Sequence, residues 1–230
     1  MSSPKIDRRL LLGGMALAAG AAAAATTAQA QTAAFAPQPQ PLPFDPKGVA
    51  GLSEKLLTSH HDNNYVGAVK RIGAIRGEFG KLDLATAPGF VINGLKREEL
   101  IAWNSMILHE VYFAGLGAAA APSPALALAV ERDFGGLDKW AVEFAAMGKA
   151  LGGGSGWVLL TWSPHDRRLV NTWASDHSQT LAGGTPLLAL DMYEHAYQMD
   201  YGAKAAAYVD AVMKALSWRH ANEAFHKVSA

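Results

Sequence analysis

A single change of period divides this sequence. From Leu52 to Leu151 the apolar residues recur three and four apart, as on the buried face of a helix, whereas from Gly156 to Leu190 they gather in short β-rich runs. Helices first and strands later predict an α+β protein: an N-terminal long-helix hairpin, then a C-terminal domain of helices around a three-stranded antiparallel sheet.

In the first half, Leu56, Leu57, His60, Val66, Val69, Ile72 and Ile75 predict one long helix over 52–79, started by Ser53 and Glu54. After Pro88 and Gly89, Leu100, Trp103, Ile107 and Val111 mark one face of a second helix over 96–116. Shorter helices are expected over 125–133 and 137–151. The segment GWVLLTWSPHDRRLVNTWAS reads as a hairpin turning at Ser163 to Asp166, and Pro186 to Leu190 reads as a third strand. A helix over 204–216 closes the fold. The corresponding boundaries are a helical domain over 49–120 and an α/β domain over 121–230.

The N-terminus has a different character. Arg8 and Arg9 precede an apolar run from Leu10 to Ala25, and Ala28-Gln29-Ala30 has the small residues of a cleavage site, so residues 1–30 read as a twin-arginine-like export signal. The expected location is the periplasm, with no stable membrane association once the signal is removed. Residues 31–48, with the proline-rich FAPQPQPLPFDPKG, read as an extended arm. Without residues 1–30 the chain has 17 basic and 19 acidic residues, a charge of −2. No basic block is present, so nucleic acid is a poor partner. The absence of cysteine excludes disulfides and thiolate metal sites.

The apolar run of the third strand gives way directly to Asp191, then Glu194 and His195. Burying a carboxylate at such a place is costly unless it is paired or bound to a cation. Taken alone, Asp191 and His195 read as a structural hydrogen bond, and His60 and His109, on the two long helices, read as core histidines. Together, three imidazoles and one carboxylate form a hard-to-borderline donor set suited to iron, manganese or zinc. His165, His220 and His226 read as surface residues.

With these residues in view, the segment from about Leu42 to Phe225 resembles the iron/manganese superoxide dismutase family. DMYEH is similar to the family's aspartate-to-histidine signature, HEVYFAGL to its second-helix histidine with following aromatics, and GLSEKLLTSHH to its first-helix ligand segment; ERDFGGLDKW and GGGSGW also match family segments. The resemblance implies a superoxide dismutase converting superoxide to oxygen and hydrogen peroxide at one iron or manganese ion per subunit. His60, His109, Asp191 and His195 would be its ligands, Trp157 and Tyr193 its walls, and Phe113 would stand at the family's usual tryptophan. It also implies a homodimer with Glu194 near the interface.

Departures from the family pattern fall around the metal. A gap-free match from His60 puts Asn64 at a usual histidine and Ala68 at the usual gateway tyrosine, leaving Tyr65 as a partial substitute. The register that matches Tyr65 and Val66 directly would put Leu57 at the ligand position, and His60 is preferred. Ser105 and Ser175 occupy the places of the glutamine that bonds metal-bound solvent; His177 would fill that role with a small gap, or be a loop histidine. The alternative functions are a periplasmic metal-binding protein of the same fold with little turnover and, more remotely, a hydrolytic zinc site.

Overall fold

The structure is a computed structural model and describes residues 36–229. The expected export signal and the first five residues of the arm lie outside the described residues. No described helix is long and apolar enough to cross a membrane.

The expected first helix forms in three pieces. Ser53 starts α1 (Glu54–Ser59), its hydroxyl accepting from the Leu56 amide at 3.0 Å. The helix then widens into a π-turn, His60–Tyr65, and tightens again as α2 (Val66–Phe79). The Val66 amide reaches back five residues to the His61 carbonyl, while the side-chain amide of Asn63 donates to the Ser59 carbonyl at 2.9 Å. Asn63 thus occupies an acceptor that its own main-chain amide would use in an α-helix, which favours the wider turn.

Helix α3 (Gly89–Ala114) begins directly after Pro88, earlier than the expected residue 96. Two glycines and an exposed Phe90 blur the apolar pattern of its first turns. Helices α2 and α3 pack together, with Val69, Ile72 and Ile75 of one and Ala102, Met106 and Val111 of the other buried. The next helix, α4 (Pro124–Phe134), has a Ser123 cap, a proline at its first position and left-handed Gly135 at its end; α5 (Leu137–Ala150) follows.

The sheet has the order β2-β1-β3, antiparallel throughout. Its strands are β1 (Trp157–Ser163), β2 (Arg168–Ala174) and β3 (Thr185–Asp191). Six consecutive residues of central β1 are buried, as expected of a strand covered on both faces. A methyl group at Gly148 of α5 would lie 2.5 Å from Leu190, so that glycine lets α5 approach β3 closely. At one end of the sheet, Trp157 stands opposite both Ala174 and Asp191.

After β3 come a 3-10 turn (Glu194–Ala196), α6 (Gln198–Tyr201), α7 (Ala205–Ala215) and α8 (Arg219–Val228). Helix α8 was not anticipated. Most of its residues are polar, and its packing rests on buried Ala221 and Phe225, the latter edge-to-face with Trp162 at 5.4 Å. His220, expected at the surface, is half-buried there, whereas His165 and His226 are exposed. Helix α6 meets the start of α1 where the Asp200 carboxylate accepts from the amide and hydroxyl of Ser53, both at 2.7 Å.

Candidate metal centre

Four elements deliver His60, His109, Asp191 and His195 to one place. His60 opens the π-turn, His109 lies in the C-terminal part of α3, Asp191 ends β3, and His195 sits in the 3-10 turn that follows. One donor atom from each lies within 4.8 Å of all the others. A single oxygen, Oδ2 of Asp191, is 3.1 Å from His60 Nε2, 3.2 Å from His195 Nε2 and 3.6 Å from His109 Nε2.

Hydrogen bonds around the cluster orient these donors. His109 donates from Nδ1 to the Ser105 carbonyl at 2.6 Å, so its neutral ring presents an unprotonated Nε2. That nitrogen is buried without a hydrogen-bond partner, as is Nδ1 of His60. Asp191 accepts from the Tyr193 amide at Oδ1 (2.8 Å) and from the Tyr208 hydroxyl at its main-chain carbonyl (2.7 Å). Tyr208 also meets the Tyr112 hydroxyl at 3.2 Å. A buried nitrogen lone pair aimed at a buried carboxylate, with two further imidazoles converging, fits a cation better than any arrangement of protons.

Electrostatics agree. Burial lowers the affinity of His60 and His109 for protons, bringing His109 to about 3, so both imidazoles are neutral. Burial alone would raise Asp191, but the hydrogen bonds from His195 and His60 outweigh it and hold the carboxyl well below the usual range. The buried part of the site is therefore one carboxylate beside two neutral imidazoles, His60 and His109.

These shifts give the metal-free protein a defined response to acid. Between pH 6.5 and 3 the unfolded chain binds a proton at residue 109 that the folded chain does not, so stability falls as pH drops below about 6.5. At residue 109 the slope approaches ~1.4 kcal/mol per pH unit, and His60, lowered by burial, acts in the same sense. Asp191 adds to the loss only below its unfolded value near 3.8. Urea titrations of metal-free protein at pH 7, 6 and 5 should show a steadily falling midpoint; a flat response would mean that the imidazoles are not buried neutral.

Aromatic rings enclose the cluster. Phe113 lies 5.1 Å from His60, Tyr112 lies 5.2 Å from His60, and Trp157 meets His109 edge-on at 5.2 Å. His177 is also at the site: its Nδ1 accepts from the Trp157 indole at 3.0 Å, and its ring stacks on Tyr193 at 4.7 Å. Tyr193, His177 and His195 are partly exposed, and they mark the side from which solvent reaches the cluster.

Tyr65 stands farther out. In a regular helix it would lie about 140° around from His60; the π-turn brings it back to the side of Phe113, 6.4 Å between rings. Its hydroxyl donates to Glu110 at 2.9 Å and accepts from the Gln40 amide at 2.8 Å. Ala68 is buried in α2. Sequence reasoning did not find Asn104, Glu110, Tyr112 and Tyr208 as site residues. Tyr112 had a legible signal, since it lies one helical turn after His109.

Comparisons with known proteins agree with this geometry. Residues 122–224 match the family model described as iron/manganese superoxide dismutases, C-terminal domain. The chain is 66% identical over 181 residues to the iron superoxide dismutase of Cupriavidus metallidurans, covering 79% of this chain and 92% of that one. It is 33% identical over 190 residues to the iron superoxide dismutase of Aquifex pyrophilus, covering 79% and 88%. A manganese superoxide dismutase of Halobacterium salinarum is 32% identical over 189 residues, with 77% and 88% covered.

Proposed function

The chain belongs to the iron/manganese superoxide dismutase family, and from that premise we propose how its own residues carry the reaction. It is an oxidoreductase that converts superoxide to oxygen and hydrogen peroxide, using iron or manganese. The convergence of three imidazole nitrogens on one buried carboxylate oxygen carries this reading.

His60, His109, Asp191 and His195 hold the ion, and the 66% identical iron enzyme favours iron. Iron or manganese bound there supplies the one-electron chemistry, alternately oxidising and reducing superoxide. Asp191 is the single anion of the cluster, and His60 and His109 are neutral, so an ion held there would keep positive charge that attracts an anionic substrate. Phe113, Tyr112 and Trp157 exclude water from the inner side, so substrate enters past His177 and Tyr193. Because the Trp157 indole can only donate, neutral His177 carries its proton on Nε2, where it serves as a hydrogen-bond donor to oxygen species at the centre. Tyr65 works at one remove, fixing the turn that bears His60 through its bonds to Gln40 and Glu110.

The decisive measurement is dismutation by purified protein, normalised to iron and manganese in the same sample. Turnover should rise in proportion to one metal, vanish on its removal and return on reloading. Stoichiometric metal without turnover would leave only a metal-binding protein. We further assign the protein to the periplasm, on the strength of the arginine pair and cleavage-like segment near the N-terminus, and to a homodimer whose contact includes exposed Glu194 beside His195. N-terminal sequencing of the protein recovered from periplasmic extracts, and sedimentation of wild type against Glu194→Ala, test these two assignments.

A further inference from the structure

We infer that Asn104 is a positioning residue of the dismutase centre, setting the place of His177 relative to His109; the inference rests on the role given to His177 above. Asn104 lies on α3, five residues before His109, and its side-chain amide donates to the main-chain carbonyl of His177 at 2.7 Å. The other ties on His177 come from elsewhere: Trp157 of β1 holds Nδ1, and Tyr193, after β3, stacks on the ring with an interplanar angle of 10°. Those two fix His177 to the sheet end. Asn104 joins it to the helix that carries His109, whose ring centroid is 6.0 Å from that of His177.

The loop itself is built to hold one shape. The carboxylate of Asp176 accepts from the amide and hydroxyl of Ser178, closing a turn with His177 at its apex. At its ends, Gln179 accepts from the amide and hydroxyl of Ser175, and Ser155 donates to the Ser175 carbonyl. With the loop tied in this way and its imidazole held to the sheet end by Trp157 and Tyr193, the bond from Asn104 is what sets that assembly against α3 and His109. A hydrogen bond of this kind contributes only about 1 kcal/mol to stability. Displacement of a reacting group by a fraction of an ångström nevertheless costs far more in rate than in stability.

The test is a double-mutant cycle on metal-loaded full-length protein. Asn104→Leu keeps the branched outline and removes the donor, Asn104→Ala removes both, and each is combined with His177→Ala. The single Asn104 changes should lower metal-normalised turnover ~5–10-fold at unchanged metal content, and by less than about twofold once His177 is absent. In metal-free protein the nuclear magnetic resonance signal of the Trp157 indole N–H should move in Asn104→Leu toward its position in His177→Ala. Losses that simply add, or an Asn104→Leu protein with wild-type turnover and indole signal, overturn the inference while leaving the role of His177 intact. If His177→Ala itself keeps full metal-normalised turnover, the role of His177 falls and the inference falls with it.

Discussion

Asp191→Asn is expected to give a folded protein that holds neither iron nor manganese and no longer turns over superoxide. Asparagine preserves the shape, and its oxygen can still accept from the Tyr193 amide as Asp191 does at 2.8 Å. It removes the one anion in a cluster whose other members are imidazoles. Replacing outer partners of metal ligands commonly lowers affinity ~10–100-fold; losing the only charged ligand, fully buried, should exceed that range. His195→Ala is the informative contrast. That side chain is 27% exposed and sits on a three-residue turn, so its loss leaves the three buried donors in place with weakened binding. Bound metal stabilises the folded state by an amount that grows with its concentration over Kd, about 2.7 kcal/mol at a hundredfold excess. Thermal melts with and without metal should therefore separate for wild type, separate less for His195→Ala and coincide for Asp191→Asn. A metal-dependent rise in Tm that survives in Asp191→Asn would remove the carboxylate from the centre.

Where these residues lie was legible in the sequence because each element delivering them has a strong local signature, whereas their role as ligands of one metal came from the resemblance to the superoxide dismutase family. An apolar run that stops at an aspartate reads as a buried strand end, and β3 does end at Asp191. Histidines among the apolar residues of two helices read as inward-facing, and His60 and His109 are both buried. What could not be read was the backbone around them. Tyr65 and Ala68 were placed by a gap-free match from His60 to the family pattern, and such a match carries no information about the π-turn that sets where the Tyr65 ring lies. The signal for the turn was Asn63, a side chain able to occupy the carbonyl four residues back, yet asparagine does this only in some helices. Helix α8 was missed for a different reason: Trp162 and its neighbours supply from a distance the apolar partner that its own residues lack.

The loop that carries His177 lay beyond local reasoning altogether. Nothing in SDHSQ distinguishes a surface turn from one held over a metal, because its anchors, Asn104, Trp157 and Tyr193, come from three distant parts of the chain. Tyr208 is similar. It bonds the Asp191 carbonyl across seventeen residues, and no spacing rule links a helix tyrosine to the end of a strand.

One added methyl group, in Gly156→Ala, should cost on the order of 3–5 kcal/mol or prevent folding, a large share of the ~5–15 kcal/mol typical of a domain. Gly156 has φ +133, and a Cβ there would lie 2.1 Å from the Ala174 carbonyl oxygen, 3.2 Å from its carbon and 3.3 Å from the Ser175 Cα. All three are main-chain atoms, so no rotamer change relieves the overlap; the strand ends must part. They part at the centre itself, because the Gly156 carbonyl accepts from the Met192 amide at 2.9 Å and the next residue, Trp157, pairs with Ala174 and Asp191. Separating these strands moves Asp191 away from the imidazoles and moves the His177 loop with Ser175. Gly153→Ala isolates the conformational part of the cost, since Gly153 also has a positive φ, +83, but an added methyl meets nothing within 4 Å. That variant should lose only the ~1–2 kcal/mol of a left-handed alanine and keep its metal. Urea midpoints and metal content measured on both proteins distinguish the two contributions. Equal losses would mean that backbone conformation alone requires glycine at both positions, whereas a folded Gly156→Ala protein with full metal content would show that the strand ends can part without disturbing the ligands.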